Sequence, residues 1–257
     1  MSHVEVERNG AVLQIAINRP EKKNALTAEM YSALADAVDQ AESDAGVRVI
    51  LLCGRGDAFT AGNDLEDFMR KPWKGQAVPP AVRFIRAVAA AKKPIVAAVH
   101  GLAVGVGTTI LLHCDLVYAA ADARFMMPFI NLGIVPEAAT TVLLPLLVGR
   151  QRAAELFLLA SPLTAQRAYE LGLVNAVVAP DALVNTVSAI AHQLSEKPSA
   201  AVLACKDLMK RAFQAEVERA LREEVAVIAE RLDSPETKEA LRAFLEKRKP
   251  DFSAPSS

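Results

Sequence analysis

Cysteine is scarce in this chain: Cys53, Cys114 and Cys205 are far apart and odd in number. No disulfide framework or Cys-x-x-Cys zinc pair can be drawn from them, and a cytoplasmic setting is expected. Excess charge of either sign is also missing. The 29 basic and 30 acidic residues leave a formal net charge of -1. That balance argues against nucleic acid or an anionic membrane surface as the main partner. The N-terminus is polar and charged, unlike a secretory signal, and the C-terminal Ala-Pro-Ser-Ser lacks a Ser-Lys-Leu type address. Charge-free runs are few. Ile95 to Leu112 is long enough to span a bilayer, but it holds His100, Gly101, Gly105, Gly107 and a Thr108-Thr109 pair. It starts as a β-branched run, so a buried strand, a glycine turn and a helix are expected rather than a membrane span.

What is present is apolar residues, 52% of 257, enough to fill one large domain with a small appendage. Leu13, Ile15 and Ile17 alternate with Gln14 and Ala16, which predicts a half-buried strand broken by Asn18-Arg19-Pro20. Thr27 is placed to cap a helix in which Met30, Leu34, Val38 and Ala41 recur every four residues or nearly so, to about Ser43. A strand over Val47 to Leu52 follows, and this order suggests parallel pairing. Arg70 to Pro80, with Trp73 and three prolines, reads as an irregular loop. A helix from about Ala81 to Ala91, a buried strand Ile95–Val99 and a strand Asp115–Ala119 come next. Beyond Glu137 the chain is mostly helical. Pro136 is placed to open a helix, Thr164 and Asp181 to cap two others, and Ser234-Pro235 to interrupt the last amphipathic stretch. Composition shifts near Asp181, dividing an α/β core (1–180) from a helical module (181–257).

Two glycine turns carry chemical interest. Ala61-Gly62-Asn63 follows one strand, and Gly105-Val106-Gly107 follows another and opens a helix. Glycine lets backbone approach a ligand, and N–H groups at a helix start point outward with a favourable dipole. Either turn alone reads as an ordinary tight turn; two converging would form an oxyanion hole. A dinucleotide fingerprint is disfavoured by the lack of a third glycine after Gly107. His113-Cys114-Asp115 has no matching ligand cluster, so a structural role is expected and no metal site. A Gly-x-Ser-x-Gly elbow is absent from the sequence.

Taken in order, these pieces resemble the crotonase (enoyl-CoA hydratase/isomerase) superfamily over nearly the whole chain. The resemblance rests on Asn18-Arg19-Pro20 with Asn24-Ala25-Leu26, on Phe59 to Leu65, on Gly101 to Asp115, on Leu132-Gly133-Ile134-Val135-Pro136, and on the tail Ala243 to Lys249. It implies an α/β fold, the crotonase (ClpP-like) spiral of ββα units with a helical C-terminal module for trimerisation. It also implies a homotrimer or dimer of trimers acting on an acyl-CoA thioester, with CoA as part of the substrate and no separate cofactor. Asn63 and Val106 match the oxyanion-hole donors. Ala61, Gly62, Asp64, Leu65, Gly105, Thr109 and Phe129 match positions around the acyl thioester. Phe244 and Lys247 match tail residues that touch adenine and phosphate from a neighbouring subunit. Read without the resemblance, Phe244 would be core and Lys247 a solvated charge.

The family's hydratases hold one water between two glutamates. The matching positions here are Thr109 and Phe129, neither of which titrates near neutrality. The nearby acid is Glu137 after Pro136. The sequence resembles most the peroxisomal-type Δ3,Δ2-enoyl-CoA isomerases, which share the Ala-Gly-Asn-Asp-Leu loop and a glutamate in Pro-Glu. That implies Glu137 as the single acid/base. Residues Ala138-Ala139-Thr140 depart from the Gly or Cys-Ser of those relatives. As a first-turn residue Glu137 would otherwise only complement a helix dipole. A hydratase-type or ring-opening reaction using Glu137 or Asp64 differently, and a non-catalytic acyl-CoA scaffold, are the alternatives.

Overall fold

The computed structural model describes residues 3–70 and 77–253. Strands β1 (Val4–Asn9) and β2 (Val12–Ile17) form a hairpin, and helix α1 (Ala28–Ser43) follows. Thr27 caps α1 as its sequence predicts, its Oγ1 accepting from the Met30 N–H at 3.3 Å. Met30, Leu34, Val38 and Ala41 are all buried. Strand β3 (Val49–Gly54) pairs parallel with β2, two residues later than expected from its apolar run. Helices α2 (Leu65–Arg70) and α3 (Pro80–Ala90) come next. The loop read around Trp73 lies mostly outside the described residues.

Strand β4 (Ile95–Val99) leads through a turn to β5 (Leu102–Val104) and α4 (Val106–Thr109), which resolves the charge-free run as strand, turn and helix. Strand β6 (Leu116–Ala120) leads in the same way to β7 (Arg124–Met126). Each of these turns of chain adds one strand to a large sheet and one to a small sheet. The large sheet continues from the hairpin through β3, β4 and β6, all parallel.

Next come α5 (Thr140–Val148), α6 (Arg150–Leu158), β8 (Leu163–Thr164), α7 (Ala165–Glu170) and β9 (Ala176–Val178). Strand β9 closes the parallel edge of the large sheet, and β5, β7 and β8 make up the small one. Four helices end the chain: α8 (Leu183–Ser195), α9 (Ser199–Arg211), α10 (Gln214–Arg231) and α11 (Pro235–Leu245). This is the α/β crotonase spiral that the resemblance implies. Among the described residues, no helix is long and apolar enough to cross a membrane.

Both faces of the inner parallel strands are covered, so β3 and β4 are apolar nearly throughout. Ile50, Leu52, Ile95, Ala97 and Val99 face α1 and α3 in the main core. Val49, Leu51, Val96 and Ala98 pack against Leu183, Val187 and Ala191 of α8. This double cover corrects the reading of β2: Ala16 is fully buried rather than solvent-facing. It also makes α8 a layer of the sheet.

Four helix starts bear on the sequence reading. Thr164 caps α7 by accepting from the Arg167 N–H, and Ser234 caps α11 by accepting from that of Thr237. Asp181 is not a cap; it lies in a 3-10 turn, Pro180–Ala182, before α8 begins. Pro136 does not open a helix either. Ala138 and Ala139 take φ values of 63° and 53°, and α5 starts only at Thr140. Glu137 is therefore not a first-turn residue, and the helix-dipole explanation for it falls away.

Candidate functional site

The first glycine loop is shaped by the N-terminal Asn-Arg-Pro segment. Asn24 is fully buried and donates to the carbonyls of Arg55 and Ala58, while its Oδ1 accepts from the Arg19 N–H at 2.7 Å. Thr60 donates to the Asn24 carbonyl and accepts from the Gly62 N–H. Phe59 and Thr60 donate backbone N–H groups to His100 and Leu102, and Val104 donates to Thr60. The loop thus runs as an extra parallel ribbon along β5 and arrives beside the second glycine turn.

The two turns touch. Gly62 sits at φ 86°, and a Cβ there would lie 2.7 Å from the Val104 carbonyl oxygen. A Cβ on Gly107 would lie 2.5 Å from the Thr60 methyl. Only glycine permits this approach. Gly62 O accepts from the Leu26 N–H and Asp64 N–H donates to the Leu26 carbonyl, which turns the intervening Asn63 N–H to the opposite side. Among the described residues, neither the Asn63 N–H nor the Val106 N–H has a hydrogen-bond acceptor.

Asn63 and Glu137 share the wall of a cavity of about 140 Å³ between α1, α2, α3 and α10. Tyr31, Phe68, Ile85, Leu221, Val225 and Ile228 make most of that wall apolar. Tyr31 is buried, and its hydroxyl donates to Asn63 Oδ1. Glu137 is half-buried as a residue, but its Oε1 is sealed from solvent and has no hydrogen-bond partner. Burial, and then the neighbouring Glu224 carboxylate, push its carboxyl up to about 7.

The other acids on the wall are committed. Asp64 Oδ2 is ion-paired with Arg19 at 2.6 Å, and Oδ1 accepts from the Asp67 N–H. Burial raises its carboxyl, but these bonds outweigh burial and hold it below the usual range. Asp67 accepts from the Ala28 N–H at 2.8 Å. Chemically, the cavity offers the free N–H of Asn63 and one carboxyl poised to exchange a proton near neutrality, with the free Val106 N–H on the adjoining glycine turn.

Of the expected residues Asn63, Asp64 and Glu137 line the cavity, Ala61, Gly62, Gly105 and Val106 lie on the two touching glycine turns next to it, and Leu65 opens α2. Thr109 and Phe129 do not line the cavity. Both are buried, and the Phe129 ring lies over Gly105, 3.9 Å from where its Cβ would be. Phe244 is 58% exposed, which overturns its reading as core, and Lys247 is also exposed at the end of α11. His113-Cys114-Asp115 is structural, as expected. His113 Nε2 donates to the Ala138 carbonyl at 2.8 Å, and burial lowers its imidazole to about 4, so it is neutral. Asp115 receives Lys206 and the Ile95 N–H.

Sequence reasoning missed Tyr31 and Glu224. Glu224 was detectable as an acid on an apolar stripe, between Leu221 three residues before it and Ile228 four after.

Residues 7–255 match the family model described as enoyl-CoA hydratase/isomerase. The 1,2-epoxyphenylacetyl-CoA isomerase of Escherichia coli is 36% identical, with 98% of this chain and 97% of that protein covered. The short-chain-enoyl-CoA hydratase of Clostridium acetobutylicum is 33% identical, with 97% of each covered. A crystal structure of an enoyl-CoA hydratase/isomerase from Pseudoalteromonas atlantica superposes with a TM-score of 0.93 at 44% identity, covering 98% of this chain and all of the other. With its two facing glycine turns and one unpaired buried carboxyl, the chain belongs to the enoyl-CoA hydratase/isomerase family, in the crotonase superfamily.

Proposed function

We propose that the protein is a Δ3,Δ2-enoyl-CoA isomerase with Glu137 as its single acid/base. The observation that carries this reading is the unpaired, buried Oε1 of Glu137 in a cavity whose other acids are engaged. The Glu137 carboxylate removes a C2 proton from a 3-enoyl thioester. The electron pair passes into a dienolate whose oxygen is held by the N–H groups of Asn63 and Val106. The protonated Glu137 then returns the proton to C4, leaving the double bond between C2 and C3. Proton count and oxidation state are unchanged, so the step calls for no redox cofactor. A carboxyl near 7 suits both halves of the shuttle.

A hydratase-type reaction is the second reading, since several relatives carry that name. It requires a second free carboxyl to hold water, and Thr109 and Phe129 supply none. Parallel initial rates on 3-enoyl-CoA and 2-enoyl-CoA of matched chain length test the choice. Faster hydration of the 2-enoyl substrate would reject the isomerase.

The exposed Phe244 and Lys247 support a CoA contact at the C-terminal end. Exposed Leu146, Leu158, Leu159, Leu208 and Met209 support a trimer or dimer of trimers that covers them.

A further inference from the structure

Ala138 and Ala139 both take the left-handed conformation, which is strained for a non-glycine residue. A pair of such residues persists only where its surroundings over-determine it. Here the surroundings come from α10. Glu224 is only 5% exposed. Its Oε2 accepts from the Ala139 N–H at 2.7 Å. Its Oε1 accepts from the Thr141 N–H at 3.0 Å and from the Thr141 hydroxyl at 2.6 Å. Burial raises its carboxyl, and three donors at the start of α5 offset part of that cost. On the other side, His113 holds the Ala138 carbonyl, and the Thr140 hydroxyl donates to that of Glu137.

We propose that Glu224 is a positioning residue for Glu137: its buried carboxylate clamps the left-handed turn that keeps the Glu137 carboxyl in the cavity with one oxygen unpaired. The proposal rests on the reading of Glu137 as the base. Glu224 is not a second proton carrier, since both of its oxygens are bonded and it does not line the cavity. The titratable and charged groups around Glu137 are Tyr31 from α1, Asp64 and Asp67 at the start of α2, Arg86 from α3, His113 through Ala138, and Glu224. Only the last is changed in the test. Glutamine at 224 keeps the volume, loses the charge, and offers one acceptor where two backbone donors stand. Aspartate keeps the charge but is one methylene too short to hold both.

The test compares full-length Glu224→Gln, Glu224→Asp and Glu137→Gln with the unmodified protein on 3-enoyl-CoA. The Glu137 carboxyl is also followed by 13C NMR titration, its signal assigned by its loss in Glu137→Gln. For Glu224→Gln, kcat falls about 10-fold with KM held within about twofold, the signature of misplaced catalytic geometry. The acidic limb of kcat/KM and the Glu137 carboxyl titration both move to lower pH, because a neighbouring negative charge has gone. Glu224→Asp loses kcat while its acidic limb stays in place. Unchanged kcat with an unmoved Glu137 titration in Glu224→Gln would overturn the proposal. Full turnover by Glu137→Gln would instead reject Glu137 as the base, and the carboxyl titration would still report whether Glu224 holds it.

Discussion

Tyr31 donates its hydroxyl hydrogen to the side-chain carbonyl of Asn63, from within a core where the tyrosine is 3% exposed. Burial, and then the Glu137 carboxylate, raise the phenol well above its usual value, so it stays a donor across the physiological range. The bond fixes the side chain whose own backbone N–H faces the cavity. Tyr31→Phe removes the donor and leaves an acceptor unmet. It is expected to cost about 1 kcal/mol of stability and a few-fold in kcat/KM. Denaturant melts and initial rates check both; unchanged values in both would make the bond incidental.

Glu137→Gln is expected to lower isomerisation about 100-fold or more, the size of a general-base contribution, with acyl-CoA binding retained. In the unmodified protein kcat/KM should rise through a limb near pH 7, since proton abstraction needs the ionised form. The same group sets a stability slope. Its folded value lies above the ordinary carboxyl value, so its contribution is full below about 4.5 and is lost as pH rises through about 7. Thermal melts should therefore show Glu137→Gln gaining on the unmodified protein by about 2 kcal/mol between pH 5 and pH 8. A flat difference across that range would place the titration elsewhere.

Phe129→Glu should not create a hydratase. Thr109 still lacks a carboxyl, and position 129 is 5% exposed over Gly105, where desolvation would keep a new acid protonated. Assays of 2-enoyl-CoA hydration by this variant should stay at the background of the unmodified protein.

Gly62→Ala tests the contact between the two turns. Its φ of 86° and the 2.7 Å approach to the Val104 oxygen leave no place for a methyl group. A loss of about 2 kcal/mol or more is expected, with a larger fall in kcat than in acyl-CoA affinity as the Asn63 N–H is displaced. Calorimetric melting with binding titration separates the two effects.

Oligomer size tests the reading of the exposed leucines as covered by further copies of the chain. Light scattering at micromolar concentration should give a trimer or hexamer, and a 27.5 kDa species alone would reject it.

Much of this architecture was legible because its signals are local. Thr27 with its four-residue apolar spacing gave α1, and the glycine at 62 announced a close approach. The small sheet was not legible. Strands β5 and β7 have three residues each and β8 has two, too short for any periodicity to register. Strand β1 was hidden for another reason: it is a mostly polar edge strand. The false helix start at Pro136 came from a sound local rule. It was defeated by Glu224, some ninety residues away in sequence, which answers the N–H groups that a helix would have used.

That long reach has a consequence for biosynthesis. A chain emerging from the ribosome N-terminus first can lay down β1 to β6 and both glycine turns before α10 has been translated. Glu137 is by then in the chain, but the clamp on Ala139 and the wall formed by Leu221, Val225 and Ile228 are not. The nascent protein therefore carries Glu137 without the turn that holds it or the wall that shelters it. Competence arrives late, with the helix that completes the pocket.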